Sequence, residues 1–433
     1  MSTYMRERHP LAMRMSCDSL VALPGATAEG VVLFAKNSDR PALEPQPLVH
    51  VPRREHPAGA TVRCTYVTIP QTARTAQVIG SRPYWCWGFE HGLNEHGVAI
   101  GNHSVFTRDG LSGLGLIGMD LVRLGLERGR TAEEAVDTIT ALLAAHGQGG
   151  SGYADKEWPY HNSFLVADRR AAFVLETSDR HWAVRHVADV ASMSNHVSIA
   201  DDWDALSDGA IEHAIAEGWW PADADRRFDF AAAYRDTALV PEVVSSGRHQ
   251  RTCALLAAAQ GALRVDALKA ALRDHYGRVG PPHDVTPGEA QYFSVCMHAD
   301  PVGTTAASII ARLPAAADEA PVYWASLGSP CIGAFIPLFV DAAVPPLLAR
   351  GGEQPDAASP WWQANRLLSL VERDWDRHAP RVRTRFDALE TEWDARLPAL
   401  TGRSAADRSA FSAAAVEGYL AALRALTVEL TGG

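Results

Sequence analysis

Two apolar runs near the start of the chain restrict its fold more than any other feature. They occupy residues 17–23 (Cys-Asp-Ser-Leu-Val-Ala-Leu) and 31–40 (Val-Val-Leu-Phe-Ala-Lys-Asn-Ser-Asp-Arg), and a turn region from Pro24 to Gly30 joins them. Each run suits a buried strand, so the pattern predicts a β-hairpin. Cys17 begins the first strand and Asp39 ends the second. Because these ends lie side by side in an antiparallel pair, we expect a thiol and a carboxylate at one end of a sheet.

Length and charge limit the partners that this chain can have. Its 433 residues, 47% of them hydrophobic, are enough for a substantial core. The 40 basic and 51 acidic residues give a formal net charge of -11, and no block of Lys or Arg stands out. This balance argues against nucleic acid and against an anionic membrane surface. Small substrates or other proteins remain as partners.

The cysteines and histidines are scattered along the sequence. None of the six cysteines is part of a CxxC pair, and the seventeen histidines show no HxxxH or HExxH spacing. We therefore predict free thiols in a reducing compartment, with no metal and no cofactor. Residues 1–16 have no apolar segment typical of a secretory signal, and no other run reaches membrane-spanning length. These features predict a cytoplasmic protein.

Several strings, in order along the chain, carry a resemblance to a known family. They are Cys17-Asp18, 36–40 (KNSDR), 81–88 (SRPYWCWG), 94–102 (NEHGVAIGN), 118–128 (GMDLVRLGLER) and Ser194-Asn195. Together these strings resemble the secernin and dipeptidase group of N-terminal nucleophile hydrolases, with a more distant similarity to bile salt hydrolase and penicillin V acylase. The resemblance spans most of residues 17–340.

The order of predicted elements agrees with the fold that this resemblance implies. A helical region at 116–143 separates the first hairpin from a meander of three strands at 162–187. The resemblance implies an α+β fold, a four-layer αββα sandwich, over residues 17–345. We expect residues 1–16 to be a propeptide or disordered leader. Residues 359–431 read as a pair of long amphipathic helices that pack on the domain or in a homo-oligomer contact.

An N-terminal cysteine would supply two catalytic groups at once. Its thiol is the nucleophile, and its α-amine, with a reference pKa of roughly 7.7 to 8.0, can accept the thiol proton. This chemistry requires removal of residues 1–16, so that Cys17 becomes the first residue. Asp39 is the candidate to hold the amine. The alternatives are an inert strand cysteine at position 17 and a turn-forming carboxylate at position 39.

Three further residues are candidates by their place in the resembling strings. The amides of Asn102 and Asn195 would donate to the oxyanion, where losing one donor typically costs about 3 kcal/mol. Arg248 lies in a Ser-x-Arg-x-x-Arg string at 246–251, similar to the string that places an active-site arginine beside the nucleophile in the acylases. Turn-forming asparagines and a solvated loop arginine are the alternatives.

The sequence also offers three candidates for a substrate pocket. Lys36 stands where the acylase relatives carry arginine, and lysine keeps the charge without the planar fork. Trp85 reads either as core packing or as a pocket wall that stacks on substrate. His103 reads either as a structural histidine or as a partner of the cysteine.

The leading expectation is a cofactor-independent amidohydrolase, most simply a dipeptidase-like peptidase that acts on a small peptide or amide. Cys17 would form an acyl-enzyme, and its own amine would move the proton to the leaving group. An acylase or acyltransferase would use the same first step with a different acceptor. A secernin-like regulatory protein without turnover would result if residues 1–16 stayed attached, because an acylated amine is not a base.

Overall fold

A computed structural model describes residues 17–111, 113–238, 242–282, 285, 289–299 and 303–432. The predicted leader at 1–16 lies outside the described residues. The strands are β1 (Cys17–Ala22), β2 (Val32–Arg40), β3 (Leu48–Val51), β4 (Arg54–Glu55), β5 (Thr61–Arg63), β6 (Thr68–Pro70), β7 (Arg74–Thr75), β8 (Val78–Ser81), β9 (His91–Asn94), β10 (Ala99–Val105), β11 (His161–Ala167), β12 (Ala172–Ser178), β13 (His181–His186), β14 (Val190–Met193), β15 (Ala205–Leu206), β16 (His298–Ala299), β17 (Gly303–Leu313), β18 (Val322–Leu327) and β19 (Ile336–Phe339). The α-helices are α1 (Gly118–Arg128), α2 (Ala132–His146), α3 (Ala210–Ala216), α4 (Phe230–Tyr234), α5 (Glu242–Ala258), α6 (Val265–Leu272), α7 (Pro360–Val371), α8 (Trp375–Arg396) and α9 (Ala405–Gly432).

The first sheet contains the N-terminal hairpin and confirms its prediction. Its strand order is β14-β1-β2-β17-β18-β19, and β16 also pairs with β17. Cys17 lies opposite Ser38, so the thiol and the Asp39 backbone share one end of the sheet as expected. The turn between β1 and β2 includes Gly30, whose positive φ of 62° suits glycine. Every strand in the hairpin is buried because the sheet is covered on both faces.

The second sheet contains the predicted meander. Its order is β15-β13-β12-β11-β10-β9-β8-β3, and neighbouring strands pair antiparallel. The three meander strands β11, β12 and β13 are joined by short turns, one of which has Asp179 at a φ of 49°. Together they begin at His161 and end at His186, within one residue of the predicted span of 162–187 at each end. Apolar runs separated by turn residues were therefore sufficient for this part of the sheet.

The two sheets and their helices form four layers, which confirms the αββα fold class. The helices α1 and α2 pack on β9–β12 of the second sheet, while α5 and α6 pack on β1, β2, β14 and β17 of the first. Between them, β1 packs directly on β10 and β11. Close approach of α1 to the second sheet requires a small residue, because a Cβ on Gly125 would lie 2.9 Å from Ile100 Cδ1. Apolar residues on both faces of each sheet, together with those of the helices that cover the sheets, form the core.

The C-terminal segment differs from the predicted helical pair. The first expected helix is divided into α7 and α8, and the side chain of Asp374 caps α8 by accepting a hydrogen bond from the Arg377 backbone at 3.3 Å. This local cap starts a new helix where apolar periodicity alone suggested a continuous one. The third helix, α9, packs against α7, α8 and β19.

Helix α9 contradicts the expectation that no run of the chain reaches membrane-spanning length. By its length and its apolar composition alone, this helix could cross a membrane. Half of its most apolar window is buried inside the protein, including Phe411, Tyr419 and Leu423. A core helix with this packing satisfies the same length and composition criteria.

Candidate active site

Cys17 lies at the start of β1, and its side chain faces the space between the two sheets. Ser19, two residues further along the same face, approaches β10 so closely that a Cβ on Gly101 would lie 3.2 Å from its hydroxyl oxygen. Because side chains alternate along a strand, Asp18 points to the opposite face, where α5 packs. The sulfur and the neighbouring carboxylate are therefore held on different sides of the first sheet.

The backbone nitrogen of Cys17 is held by the side chain of Asn195. The Asn195 Oδ1 accepts a hydrogen bond from this nitrogen at 2.7 Å and a second from Arg248 Nη2 at 3.0 Å. Its Nδ2 donates to the backbone oxygen and the hydroxyl of Ser104 at 3.0 and 3.1 Å. The amide nitrogen of Asn195, predicted to donate to an oxyanion, therefore donates to β10 instead. The amide oxygen of Asn195 positions the nitrogen that would become the α-amine.

Arg248 is fully buried on α5, so the alternative of a solvated loop arginine is wrong. Its Nη1 donates to Asp18 Oδ2 at 2.6 Å and to the backbone oxygen of Cys17 at 3.4 Å. Burial alone lowers the pKa of Arg248, but the carboxylates of Asp18 and Asp39 outweigh burial and leave that pKa above its ordinary value. The guanidinium therefore stays charged and links Asp18, Cys17 and Asn195.

Asp39 lies within β2 rather than in a turn at its end, so the turn-forming alternative does not hold. Its Oδ1 accepts a hydrogen bond from the Thr305 hydroxyl on β17 at 2.6 Å. Thr305 Oγ1 in turn accepts from the backbone nitrogen of Met297 at 2.8 Å. Burial raises the pKa of the Cys17 thiol, and the hydrogen bond from the backbone N–H of Asp39 opposes that rise only slightly. Asp39 therefore acts on the Cys17 thiol in two ways, through the hydrogen bond from its backbone N–H and through the charge of its carboxylate.

The thiol of Cys17 is protonated at neutral pH in the full-length chain. Burial raises the pKa of Cys17 to about 11, against the lowering influence of the Lys36 cation, and the charges of Glu90 and Asp39 raise it further. Burial disfavours the thiolate here more than the Lys36 cation favours it. Activation of this sulfur therefore needs a nearby base.

Lys36 belongs to a row of buried charges on the face of the first sheet that carries Cys17. Its Nζ lies 3.7 Å from Glu90 Oε2, and Arg40 Nη1 lies 3.4 Å from the other oxygen of the same carboxylate. Arg40 also donates to Glu44 at 2.7 Å. Sequence reasoning singled out Lys36 but missed Glu90 and Arg40. The period-two spacing of Lys36, Ser38 and Arg40 in the 36–40 string was the available signal.

We predict that Gly101→Ala destabilises the protein by about 1 to 3 kcal/mol, because overpacking displaces buried atoms. The added Cβ would lie 2.5 Å from Lys36 Cδ, which is too close for any Cβ contact. Urea unfolding measures the change in the free energy of unfolding. Gly418→Ala on α9 is the matched control, since its nearest neighbour is Leu389 Cδ2 at 3.9 Å. We expect that control to be neutral or stabilising by up to about 1 kcal/mol, and equal losses in both variants would contradict the packing interpretation.

Asn102 lies on the other face of β10 from Gly101, towards the start of α1. A Cβ on Gly118 would meet the Asn102 amide at 2.4 Å. When the Asn102 amide is oriented so that its oxygen and its nitrogen both have suitable hydrogen-bond partners, Nδ2 donates to the backbone oxygen and Oε2 of Glu90 at 3.1 and 2.7 Å. Asn102 therefore acts on the candidate site through Glu90, and the structure does not bring it to Cys17 as an oxyanion donor.

The other two pocket candidates are buried to different degrees. His103 is fully buried, and burial together with the Lys36 cation holds its pKa well below the ordinary value, so its imidazole is neutral. Trp85 is half-buried and packs on the apolar cluster of Cys86, Ile117 and Met119, as the core-packing interpretation predicts. In the described residues no hydrogen bond joins either side chain to Cys17.

Access to the sulfur is restricted. Cys17 is 2% exposed in the full-length chain. A cavity of about 980 Å³ lies elsewhere, between α7 and the end of α9, where Trp362, Arg366 and Val428 are among its lining residues.

The solved structures to which this chain is similar include the following three. A variant of conjugated bile acid hydrolase from Clostridium perfringens is 12% identical, with a TM-score of 0.41, over 72% of this chain and 89% of that one. Penicillin V acylase from Agrobacterium tumefaciens is 15% identical, with a TM-score of 0.40, over 72% and 83%. The Caenorhabditis elegans ortholog of N-acylethanolamine-hydrolyzing acid amidase is 12% identical, with a TM-score of 0.34, over 68% and 92%. No protein-family model matches the chain.

Proposed function

We propose that this chain, once residues 1–16 are removed, is a cysteine-nucleophile hydrolase of linear amide bonds. The observation that carries the proposal is the 2.7 Å hydrogen bond from the Cys17 backbone nitrogen to Asn195 Oδ1. Cleavage between Ser16 and Cys17 would turn that nitrogen into a free α-amine that is already held in position. Nucleophile and base would then belong to one residue.

Each buried group near Cys17 has a role in such a reaction. The amine takes the thiol proton, the sulfur attacks the substrate carbonyl, and the amine returns the proton to the leaving nitrogen as the C–N bond breaks. Water then hydrolyses the thioester with the amine again as base. Asn195 and Arg248 are positioning residues for the amine, and the Asp39 backbone N–H supports the thiolate. The Lys36 cation stabilises negative charge on the sulfur and on the tetrahedral intermediate.

A dipeptidase-like specificity is the finer part of this proposal. Its support is the resemblance of the 36–40 and 94–102 strings to the secernin and dipeptidase group. The buried cations at Lys36 and Arg40, on the face that carries Cys17, would suit a substrate with a carboxylate near the scissile amide. An acyltransferase would share every group named here and differ only in the acceptor.

A specific observation favours a second candidate, a binding protein without turnover. Cys17 is 2% exposed and burial raises its thiol pKa to about 11 in the chain that retains residues 1–16. A protonated and inaccessible sulfur cannot attack an amide. If the leader is retained in the cell, the same fold would serve recognition alone.

Intact-mass measurement of the purified protein, together with a panel of dipeptides and N-acyl amino acids, separates these candidates. Loss of residues 1–16 with hydrolysis of panel members supports the enzyme. Retention of residues 1–16 with no turnover supports the binding protein. Added amine nucleophiles distinguish hydrolysis from transfer, because a transferase yields a new amide in proportion to the amine. A mature, folded protein that hydrolyses nothing in the panel would contradict the dipeptidase-like specificity.

We predict that Lys36→Met lowers kcat/KM by roughly 10²- to 10³-fold, as removal of one stabilising group typically does. Loss of the cation removes the main influence that lowers the pKa of Cys17, so the pH above which activity rises should move upward. Steady-state rates across pH measure both effects. Lys269→Met is the matched control, because Lys269 is also buried and pairs with Asp394 at 2.6 Å but lies on α6. An unshifted pH profile in Lys36→Met would exclude a role for this charge.

A further inference from the structure

A second cluster of reactive side chains lies on the first sheet, apart from Cys17. His275, Cys296, His298 and Cys331 each place one nitrogen or sulfur within 4.8 Å of the others. His275 follows α6, Cys296 and His298 lead into β16, and Cys331 lies between β18 and β19. Three separate segments of the chain therefore converge on one point. Their wide separation in sequence explains why no metal-ligand spacing was visible.

The distances in this cluster match the edges of a tetrahedral metal site. His298 Nε2 lies 3.6 Å from Cys296 Sγ and 3.2 Å from Cys331 Sγ. Zinc bonds of about 2.3 Å to sulfur and about 2.0 Å to nitrogen give nitrogen–sulfur edges of about 3.5 Å in a tetrahedron. Four side chains so arranged need little movement to share one ion.

The burial of the cluster also favours an ion. The Cys296 and His275 residues are 0% and 2% exposed, and the side chain of His298 is 1% exposed. His275 Nε2 is buried and makes no hydrogen bond of normal geometry within the part of the chain that the structure describes, and the imidazole of His275 lies close to the Cys296 thiol. A buried imidazole nitrogen without a partner is costly, and a metal bond would satisfy it.

The surroundings of His298 are those of a metal-bound histidine. Its Nδ1 faces Glu372 Oε1 at 3.4 Å, while its Nε2 faces the two sulfurs. Histidines that bind metals commonly donate their other ring nitrogen to a carboxylate, which fixes the ring and its tautomer. The ring of Trp375 packs against His298 and His275, with ring centroids 5.7 and 6.2 Å apart. These contacts hold both imidazoles in place.

From this geometry we propose that His275, Cys296, His298 and Cys331 bind one structural zinc ion. Two thiolates and two imidazoles without an open position are typical of structural zinc, since softer ligands of this kind favour it over magnesium or calcium. The expectation of no metal, which relied on sequence spacing, is replaced by this proposal.

The ion would stabilise the strands that lie next to the candidate active site. Met297, between two of the ligands, donates its backbone N–H to the Thr305 hydroxyl, which donates to Asp39. On the other side, His298 meets Glu372 at the junction of α7 and α8. A zinc ion would therefore fix β16 against β17 and join the C-terminal helices to the first sheet.

Metal analysis of the purified full-length chain tests the proposal. We expect about one zinc per chain, and absorption bands of tetrahedral, thiolate-bound cobalt after exchange with Co²⁺. Cys331→Ser and His275→Gln should each lower the zinc content to under about a tenth of that value, with loss of tight binding. Cys64→Ser is the matched control, because Cys64 is an equally buried thiol outside the cluster.

In case the variants fold poorly, the wild-type protein supplies a second measurement. Titration of its thiols with a mercurial should release the zinc, as followed by a metal-sensitive dye. Protein that holds no zinc after purification and after incubation with zinc would overturn the proposal. A mass two hydrogens lower, from a Cys296–Cys331 disulfide, would also overturn it. Cys17→Ala should keep its zinc, so that failure of the catalytic proposal and failure of this one are distinguishable.

Discussion

Cys17→Ala is expected to abolish amide hydrolysis, with a fall in kcat/KM of roughly 10⁴-fold or more, since loss of a nucleophile removes the covalent route altogether. The substitution keeps the backbone nitrogen and its hydrogen bond to Asn195, so the fold around the site should be preserved. Steady-state hydrolysis of the best panel substrate by the mature protein measures the loss. Far-ultraviolet circular dichroism and urea unfolding verify that the variant is folded.

Two further variants make this result specific. Cys17→Ser should retain only a small part of the activity, because a hydroxyl is a poorer nucleophile than a thiol at the same position. Cys253→Ser removes a half-buried thiol from α5 and should leave the rate near that of the wild type. If Cys17→Ala hydrolysed the panel as fast as the wild type, the sulfur would have no part in the reaction and another site would have to be sought.

The hairpin and the meander were predictable because their signals are local. Apolar runs and turn residues within about ten positions specify β1, β2 and β11–β13, and the structure has these strands almost where the sequence placed them. The break at Asp374 was harder, because one capping side chain competes with apolar periodicity over more than thirty residues. Local chemistry decided the helix boundary there.

The sequence predicted several residues of the candidate site, but it did not predict which contacts each of them makes there. Asn195 and Arg248 do meet Cys17, yet their contacts depend on which strand face packs on α5, and the sequence does not state this. Asn102 illustrates the same difficulty, because a shift of one residue along β10 separates the inter-sheet face at Gly101 from the helix face. Glu90 was missed because it lies outside the strands and gains its partners only when the sheets pack.

The charges on the two faces of the first sheet separate the groups that hold the backbone of Cys17 from the groups that act on its sulfur. On the helix face, Asp18 and Arg248 form an ion pair with 0% exposure of either side chain. On the inter-sheet face, Lys36 pairs with Glu90, and both charges act on the pKa of the Cys17 thiol. The Asp18–Arg248 pair holds the backbone of Cys17, and the Lys36–Glu90 pair determines the local charge that acts on the sulfur. Arg248 contributes to both structure and chemistry, because it also bonds to Asn195. Variants of each pair can be tested separately.

Asp18→Asn is expected to lower the free energy of unfolding by about 3 to 5 kcal/mol, because removal of one partner of a buried ion pair leaves the other charge uncompensated. Arg248 Nη1 would lose its 2.6 Å contact with a carboxylate while it remained fully buried. The nearby charge of Asp39 raises the pKa of Arg248 as well, so we expect the loss near the lower end of this range. Urea unfolding at neutral pH measures it.

An exposed ion pair supplies the control for this prediction. Arg381 Nη1 lies 3.3 Å from Glu429 Oε1, with both side chains about half exposed. Arg381→Ala should therefore cost no more than about 1 kcal/mol, the usual limit for a solvated pair. Similar losses in both variants would mean that burial adds nothing to the Asp18 pair. A large loss in Asp18→Asn alone, relieved in the double variant Asp18→Leu with Arg248→Met, would show that the unpaired guanidinium is the cause. Because that same guanidinium bonds to Asn195, the double variant should regain stability while its activity stays low, since Asn195 would lose one of the contacts that position it against the α-amine.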